Sequence, residues 1–236
     1  MISILTVNHN CLDWMKLLVA SVRRFTSMRY GIVIVDNASE DGSVEWLKAQ
    51  SDIEKILLPH NIGHGRGMDL AWENAPHRHC LALDIDAHIL RAGWDYDIMS
   101  LYGSVPECRL VAAKGGEAKP VHPCVMFFDK EFFREHGFSF VATKEYDVGR
   151  KLYPDVLNLG YQVLRIPVGY GKDGKKFYPG AYGDTYYIND EPTFYHNWYS
   201  ARMWKKSQVD SLTIDEYIRK RNLVFNHPHA QGILGQ

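Results

Sequence analysis

The stretch LALDIDAHIL places two carboxylates, Asp84 and Asp86, one residue apart at the end of an apolar run. Hard oxygen ligands at that spacing can hold a Mg²⁺ or Mn²⁺ ion that also grips a diphosphate. An isolated Asp-x-Asp is equally the pattern of a solvated turn. Its neighbours turn the balance toward chemistry. Asn8, Asp36 with Asn37, and Asn61 with Gly63 also come after apolar runs, so polar residues follow four successive runs. Each of these, taken singly, is also a common turn or helix-capping residue, and NASEDGS at 37–43 would serve as a loop and cap without any ligand.

The elements that must position these groups follow from periodicity. ISILTV, GIVIVD, IEKILL and HCLALDID read as strands, and LDWMKLLVASVRRF, SVEWLKAQ and GMDLAWENA as the helices between them. Runs such as IVIV, without clean alternation, fit strands covered on both faces. The expectation is therefore an α/β fold with a mainly parallel central sheet flanked by helices. Ligands of such sheets bind beyond the carboxyl ends of the strands, where the polar residues cluster. After about residue 100 the rhythm changes, with short strands, a helix at EFFREH and another around VGRKLYPDVLNLGY, in which Pro154 marks a start or a kink. Residues 169–187, dense in Gly and Tyr, read as a long loop able to close over a ligand.

SILTVNHN, IVIVDNASEDGSVEWL, HNIGHGRGMDLAW and LALDID, in that order and spacing, resemble the nucleotide-binding half of family 2 glycosyltransferases, which have the GT-A fold. The resemblance implies that Asp36 hydrogen-bonds the base, usually uracil, and that backbone and side chains near Thr6 and Asn8 line the nucleoside pocket. It places Asp84 near the ribose and metal and makes Asp86 the main metal ligand. Asn61, Gly63 and Arg66 would approach the donor, with Asp69 standing where the family usually has a second Asn. The second half resembles the family more loosely, through HPCVMFFDKEFFREHGFSF with Gly137 and Phe138, and through TKEYDVGRKLYPDVLNLGYQVLRIP. The family's Glu-Asp pair is interrupted as Glu145, Tyr146, Asp147. In inverting members that carboxylate removes the acceptor's proton, which assigns the base to Asp147 and, second, to Glu145. A carboxylate at a helix start also has a purely stabilising role. His196 resembles the late histidine that some GT-A enzymes use as a third metal ligand, and its imidazole suits Mn²⁺ better than Mg²⁺. Packing among Tyr195, Trp198 and Tyr199 would account for it equally. His60, His64, His88 and His122 are read as packing residues.

The 236 residues, 46% hydrophobic and 23% charged with a formal net charge of -1, suit one globular domain and supply no global field toward nucleic acid or membrane. Residues 1–100 would bind the nucleotide-sugar and 101–236 the acceptor, with a C-terminal extension. Four scattered cysteines form neither a zinc pattern nor a disulfide framework. With no basic leader and no run of about 18 apolar residues, a cytoplasmic protein without a transmembrane segment is expected. Aromatic residues between 178 and 204 could be a sugar platform or core. The basic residues Arg202, Lys205 and Lys206, then Arg219, Lys220 and Arg221, read as solvated helix faces, with an anionic acceptor as the lesser alternative.

The function expected is single-sugar transfer from a UDP-sugar, with Mn²⁺ or Mg²⁺, to an acceptor hydroxyl that could belong to a glycan, a lipid-linked glycan, a protein or a nucleic acid. A sugar nucleotidyltransferase would want a Gly-rich basic signature after the first strand, which NHNCLDW lacks. A glycosyltransferase-like module that binds a nucleotide or glycan without turnover finds its support in the interrupted Glu-Tyr-Asp.

Overall fold

In a computed structural model of the chain, the structure describes residues 1–171, 174–198, 200, 208–209 and 212–235. The first part runs β1 (Ile2–Asn8), α1 (Leu12–Phe25), β2 (Tyr30–Asp36), α2 (Ser43–Lys48), β3 (Ile53–Leu57), α3 (His64–Glu73), β4 (His79–Leu83), β5 (Ala87–Ile89) and α4 (Trp94–Gly103). The second runs β6 (Cys108–Lys114), β7 (Val121–Asp129), α5 (Lys130–Glu135), α6 (Leu152–Asn158), β8 (Gln162–Ile166), β9 (Gly183–Ile188), β10 (Glu191–Asn197), β11 (Gln208–Val209), β12 (Leu212–Thr213), α7 (Ile214–Phe225) and α8 (Pro228–Leu234).

Seven strands form one sheet in the order β3-β2-β1-β4-β7-β6-β8. The pairs from β3 through β4 are parallel, β7 is antiparallel to both its neighbours, and β8 is parallel to β6. Burial on both faces explains the unbroken apolar runs. Ile2, Ile4, Ile32 and Ile34 enter one core with α1, whereas Leu5, Val7, Val33 and Val35 enter another with α3. A three-stranded antiparallel sheet, β5-β10-β9, which the sequence did not announce, covers part of the first core.

Helix α3 approaches the sheet and the stretch after α5 too closely for ordinary side chains. A Cβ at Gly65 would lie 2.7 Å from the backbone oxygen of Phe140, and one at Gly67 would lie 2.9 Å from Val7 Cγ1. Alanine improves helix propensity by about 1 kcal/mol, yet overpacking against backbone costs about 1–3 kcal/mol. Gly65→Ala is therefore expected to lower the melting temperature, read by circular dichroism; an unchanged or raised value would contradict this packing.

The Gly- and Tyr-rich stretch is shorter as a loop than expected, because Gly183–Ile188 is strand β9. Residues 172–173 lie outside the described residues. Tyr178, Tyr186 and Tyr195 are core, and Tyr178 packs edge-on to Tyr195 and His227. His88 is buried beside Tyr178, and burial pushes it down to about 3, so it is the neutral packing residue expected. On α7, Arg221 pairs with Asp13, while Lys220 lies near Glu216 and over the Tyr182 ring. Tyr199, Arg202, Trp204, Lys205 and Lys206 lie outside the described residues. No helix among the described residues is long and apolar enough to cross a membrane.

Candidate active site

Strand β4 stops at Leu83, so Asp84 and Asp86 lie in a tight turn rather than on the strand. Ala87 N–H donates to Asp84 C=O at 2.9 Å and closes that turn, after which β5 begins. Pairing of β5 with β10 sets His196 opposite Ala87, and Asn197 N–H donates to Asp86 C=O at 3.0 Å. His196 Nε2 consequently sits 3.4 Å from Asp84 Oδ2 and 3.3 Å from Asp86 Oδ1. One backbone ladder joins residues 110 positions apart in sequence.

Charge holds this group together. Burial would by itself push Asp84 up, but the hydrogen bond to His196 and the nearby His64 hold its carboxyl well below the usual range. Burial would likewise depress His196, and Cys124, Asp86 and Asp84 outweigh it to raise the ring well above its ordinary value. Asp84, Asp86 and His196 offer ligand atoms within 4.8 Å of one another. Two carboxylates and an imidazole whose Nε2 faces both of them fit a divalent cation such as Mn²⁺. The ring must lose its proton to serve as a ligand.

These residues line one cavity of about 450 Å³, at the carboxyl ends of β1 and β4, together with Val7, His9, His64, Lys119, His122, Asp147 and Arg150. Asp147 faces it and Glu145 does not. The backbone N–H of Val148 donates to Asp147 Oδ1 at 2.8 Å, and Arg150 N–H donates to the Asp147 C=O at 3.0 Å. Arg150 Nε and Nη1 are buried and have no hydrogen-bond partner. None of the described residues in 169–187 lines the cavity.

The other expected donor-site residues lie off this cavity. Asp36 is fully buried: Asn8 Nδ2 donates to one oxygen at 2.8 Å and Ser39 N–H to the other at 2.9 Å, so it ties two strand ends together. Thr6 and Asn8 are also fully buried, and the intervening Val7 and the next residue, His9, line the cavity instead. Alternation along a strand turns neighbouring residues to opposite faces. Asn37 is buried and accepts from Ile62 N–H at 2.9 Å. Asn61 turns onto the N–H of Gly63 at 2.8 Å, and the positive φ of Gly63 opens α3. Neither these two nor exposed Arg66 reaches the cavity, whereas His64 does. Asp69 fastens the stretch after α5 by accepting from Ser139 Oγ and Phe140 N–H.

His64 and His122, read from the sequence as packing residues, belong to the site. For His122 a signal existed in HPC: proline inside a strand marks a break in its ladder. The β6–β7 register shifts there, from Ala112 opposite Met126 to Ala113 opposite His122, and Asp84 N–H donates to Cys124 C=O at 3.0 Å.

Residues 3–98 match the family described as Glycosyl transferase family 2. The chain carries a family 2 glycosyltransferase domain. Among solved structures, a mannosyltransferase from Pyrobaculum calidifontis, PcManGT, in complex with GDP-Man and Mn²⁺, superposes with a TM-score of 0.58 at 16% identity, over 70% of this chain and 54% of that one. TarS 1-349 of S. aureus in complex with UDP-GlcNAc superposes with a TM-score of 0.56 at 13% identity, over 99% of this chain and 70% of that one. At such identities the likeness establishes the GT-A fold, and the chain spans only about half the length of PcManGT. No curated protein matches the chain in sequence. The matched segment ends within α4, so it contains the two aspartates but neither His196 nor Asp147.

Proposed function

We propose that the protein transfers a single sugar, with inversion, from a nucleoside diphosphate donor to an acceptor hydroxyl. The observation that carries this reading is the convergence of Asp84, Asp86, His196 and Asp147 on one cavity at the carboxyl ends of parallel strands. Residues 1–100 bind the donor and 101–236 the acceptor, within one domain. Asp84, Asp86 and His196 hold a divalent cation, Mn²⁺ by the chemistry of the set, which supplies charge neutralisation for the departing diphosphate. Asp147 takes the proton from the acceptor hydroxyl as that oxygen attacks the anomeric carbon. Lys119 and Arg150 add positive charge to the same cavity, where donor and acceptor meet. A UDP-sugar is the donor favoured by the resemblance and by the UDP-GlcNAc complex of TarS; GDP-Man in PcManGT makes guanine the competing base. Four free cysteines, all buried, support a reducing compartment, the cytoplasm.

A thermal-shift comparison of UDP, GDP, CDP and dTDP, with and without Mn²⁺, tests the donor side. A ligand at a hundredfold excess over its dissociation constant stabilises by about 2.7 kcal/mol, on the order of 5–10 °C for a chain of this size. A cation-dependent shift with UDP is expected; no shift with any nucleotide would overturn the transferase reading.

A further inference from the structure

The transferase reading leaves His122 and Cys124 without a task, although both stand beside its metal ligands. Pro123, Cys124 and Val125 leave the β6 ladder at the register shift in β7, where His122 and Cys124 lie beside His196. Among the described residues, His122, Cys124 and His196 form a second set whose ligand atoms all lie within 4.8 Å of one another. The two imidazole rings are 5.0 Å apart, centre to centre. Cys124 is wholly buried and His196 is 5% exposed. The unpartnered Nδ1 of His196 is an independent sign that something is missing from its surroundings, since a buried ring nitrogen normally has a partner.

The chemistry of this set differs from that of the carboxylates. A thiolate with two imidazoles is soft to borderline and is suited to tetrahedral Zn²⁺, whereas Mg²⁺ and Mn²⁺ favour oxygen. We propose that His122, Cys124 and His196 form a second metal site, selective for Zn²⁺ and sharing His196 with Asp84 and Asp86. Binding releases the proton of the Cys124 thiol and any extra proton on His196. Ligation through His122 Nε2 moves its ring proton to Nδ1 and gives up the long 3.3 Å contact from Cys124 N–H. Because His196 is common to both sets, Zn²⁺ and Mn²⁺ compete for it. That last consequence rests on the proposed function and predicts that Zn²⁺ inhibits transfer; the site itself does not depend on it.

Co²⁺ is the probe, added to the full chain after metal removal by a chelator. A thiolate-to-cobalt charge-transfer absorption in the near ultraviolet is expected, bleached by stoichiometric Zn²⁺ and not by excess Mg²⁺. It should persist in Asp86→Asn and vanish in Cys124→Ser, and His122→Gln should weaken Co²⁺ binding by about tenfold or more. Absence of the band in the native chain would overturn the site. So would its survival in Cys124→Ser, which would assign it to Cys11, Cys80 or Cys108. If Cys124→Ser fails to fold by circular dichroism, His122→Gln decides, and an unchanged titration there overturns the proposal. Loss of the band together with intact nucleotide binding would remove this site and leave the transferase reading standing.

Discussion

Asp86→Ala is expected to lower sugar transfer about a thousandfold while the protein still folds. A bound cation contributes several kcal/mol to stabilising charge on a leaving diphosphate, and each 1.4 kcal/mol or so is a factor of ten in rate. Asp86 supplies one of the two carboxylates beside His196, at 3.3 Å from its Nε2. Asp84 and His196 remain in the variant and still face each other at 3.4 Å, so the local structure has no reason to collapse. The substitution should also abolish the rise in melting temperature that Mn²⁺ produces with the nucleotide. Activity within tenfold of the native chain, or an undiminished Mn²⁺ shift, would take Asp86 out of the metal site.

The second large effect is expected from Asp147→Asn. General-base catalysis is typically worth about 10²- to 10⁴-fold, and asparagine keeps the shape of aspartate and an oxygen able to accept from Val148 N–H. The turnover number should fall within that range, with the KM for the donor and the Mn²⁺-dependent thermal shift little changed. Glu145 lies off the cavity, and its backbone N–H takes the Thr143 hydroxyl as acceptor at 3.3 Å. Glu145→Gln should consequently remain within about twofold of native activity. The reverse pattern, with Glu145→Gln inactive and Asp147→Asn active, would move the base to Glu145.

Much of the framework was legible beforehand because it follows from short-range periodicity. Alternate residues of ISILTV and GIVIVD enter opposite cores, and that burial on two faces is what an unbroken apolar strand encodes. The polar loop 37–43 was equally legible as a cap. Asp41 accepts from Leu12 N–H and Ser43 N–H, and so fastens the starts of both α1 and α2. Helix α4 escaped notice, since its apolar positions do not form one clear stripe. The small sheet β5-β10-β9 escaped for another reason: β5 is three residues long, and its partner lies more than a hundred positions away.

What the sequence determined by itself was therefore the α/β order of elements, the carboxylate pair at Asp84 and Asp86, and the family of the first hundred residues. All of these are local patterns, set by neighbours within a few positions. The tertiary structure decided which polar residues face the cavity. It turned Asp36, Asn8 and Thr6 inward, exposed His9 and His64 to the site, and used the pairing of β10 with β5 to bring His196 to the aspartates. Facing depends on strand register and on long-range pairing, and a shift of one residue inverts it, so composition and spacing cannot carry that information.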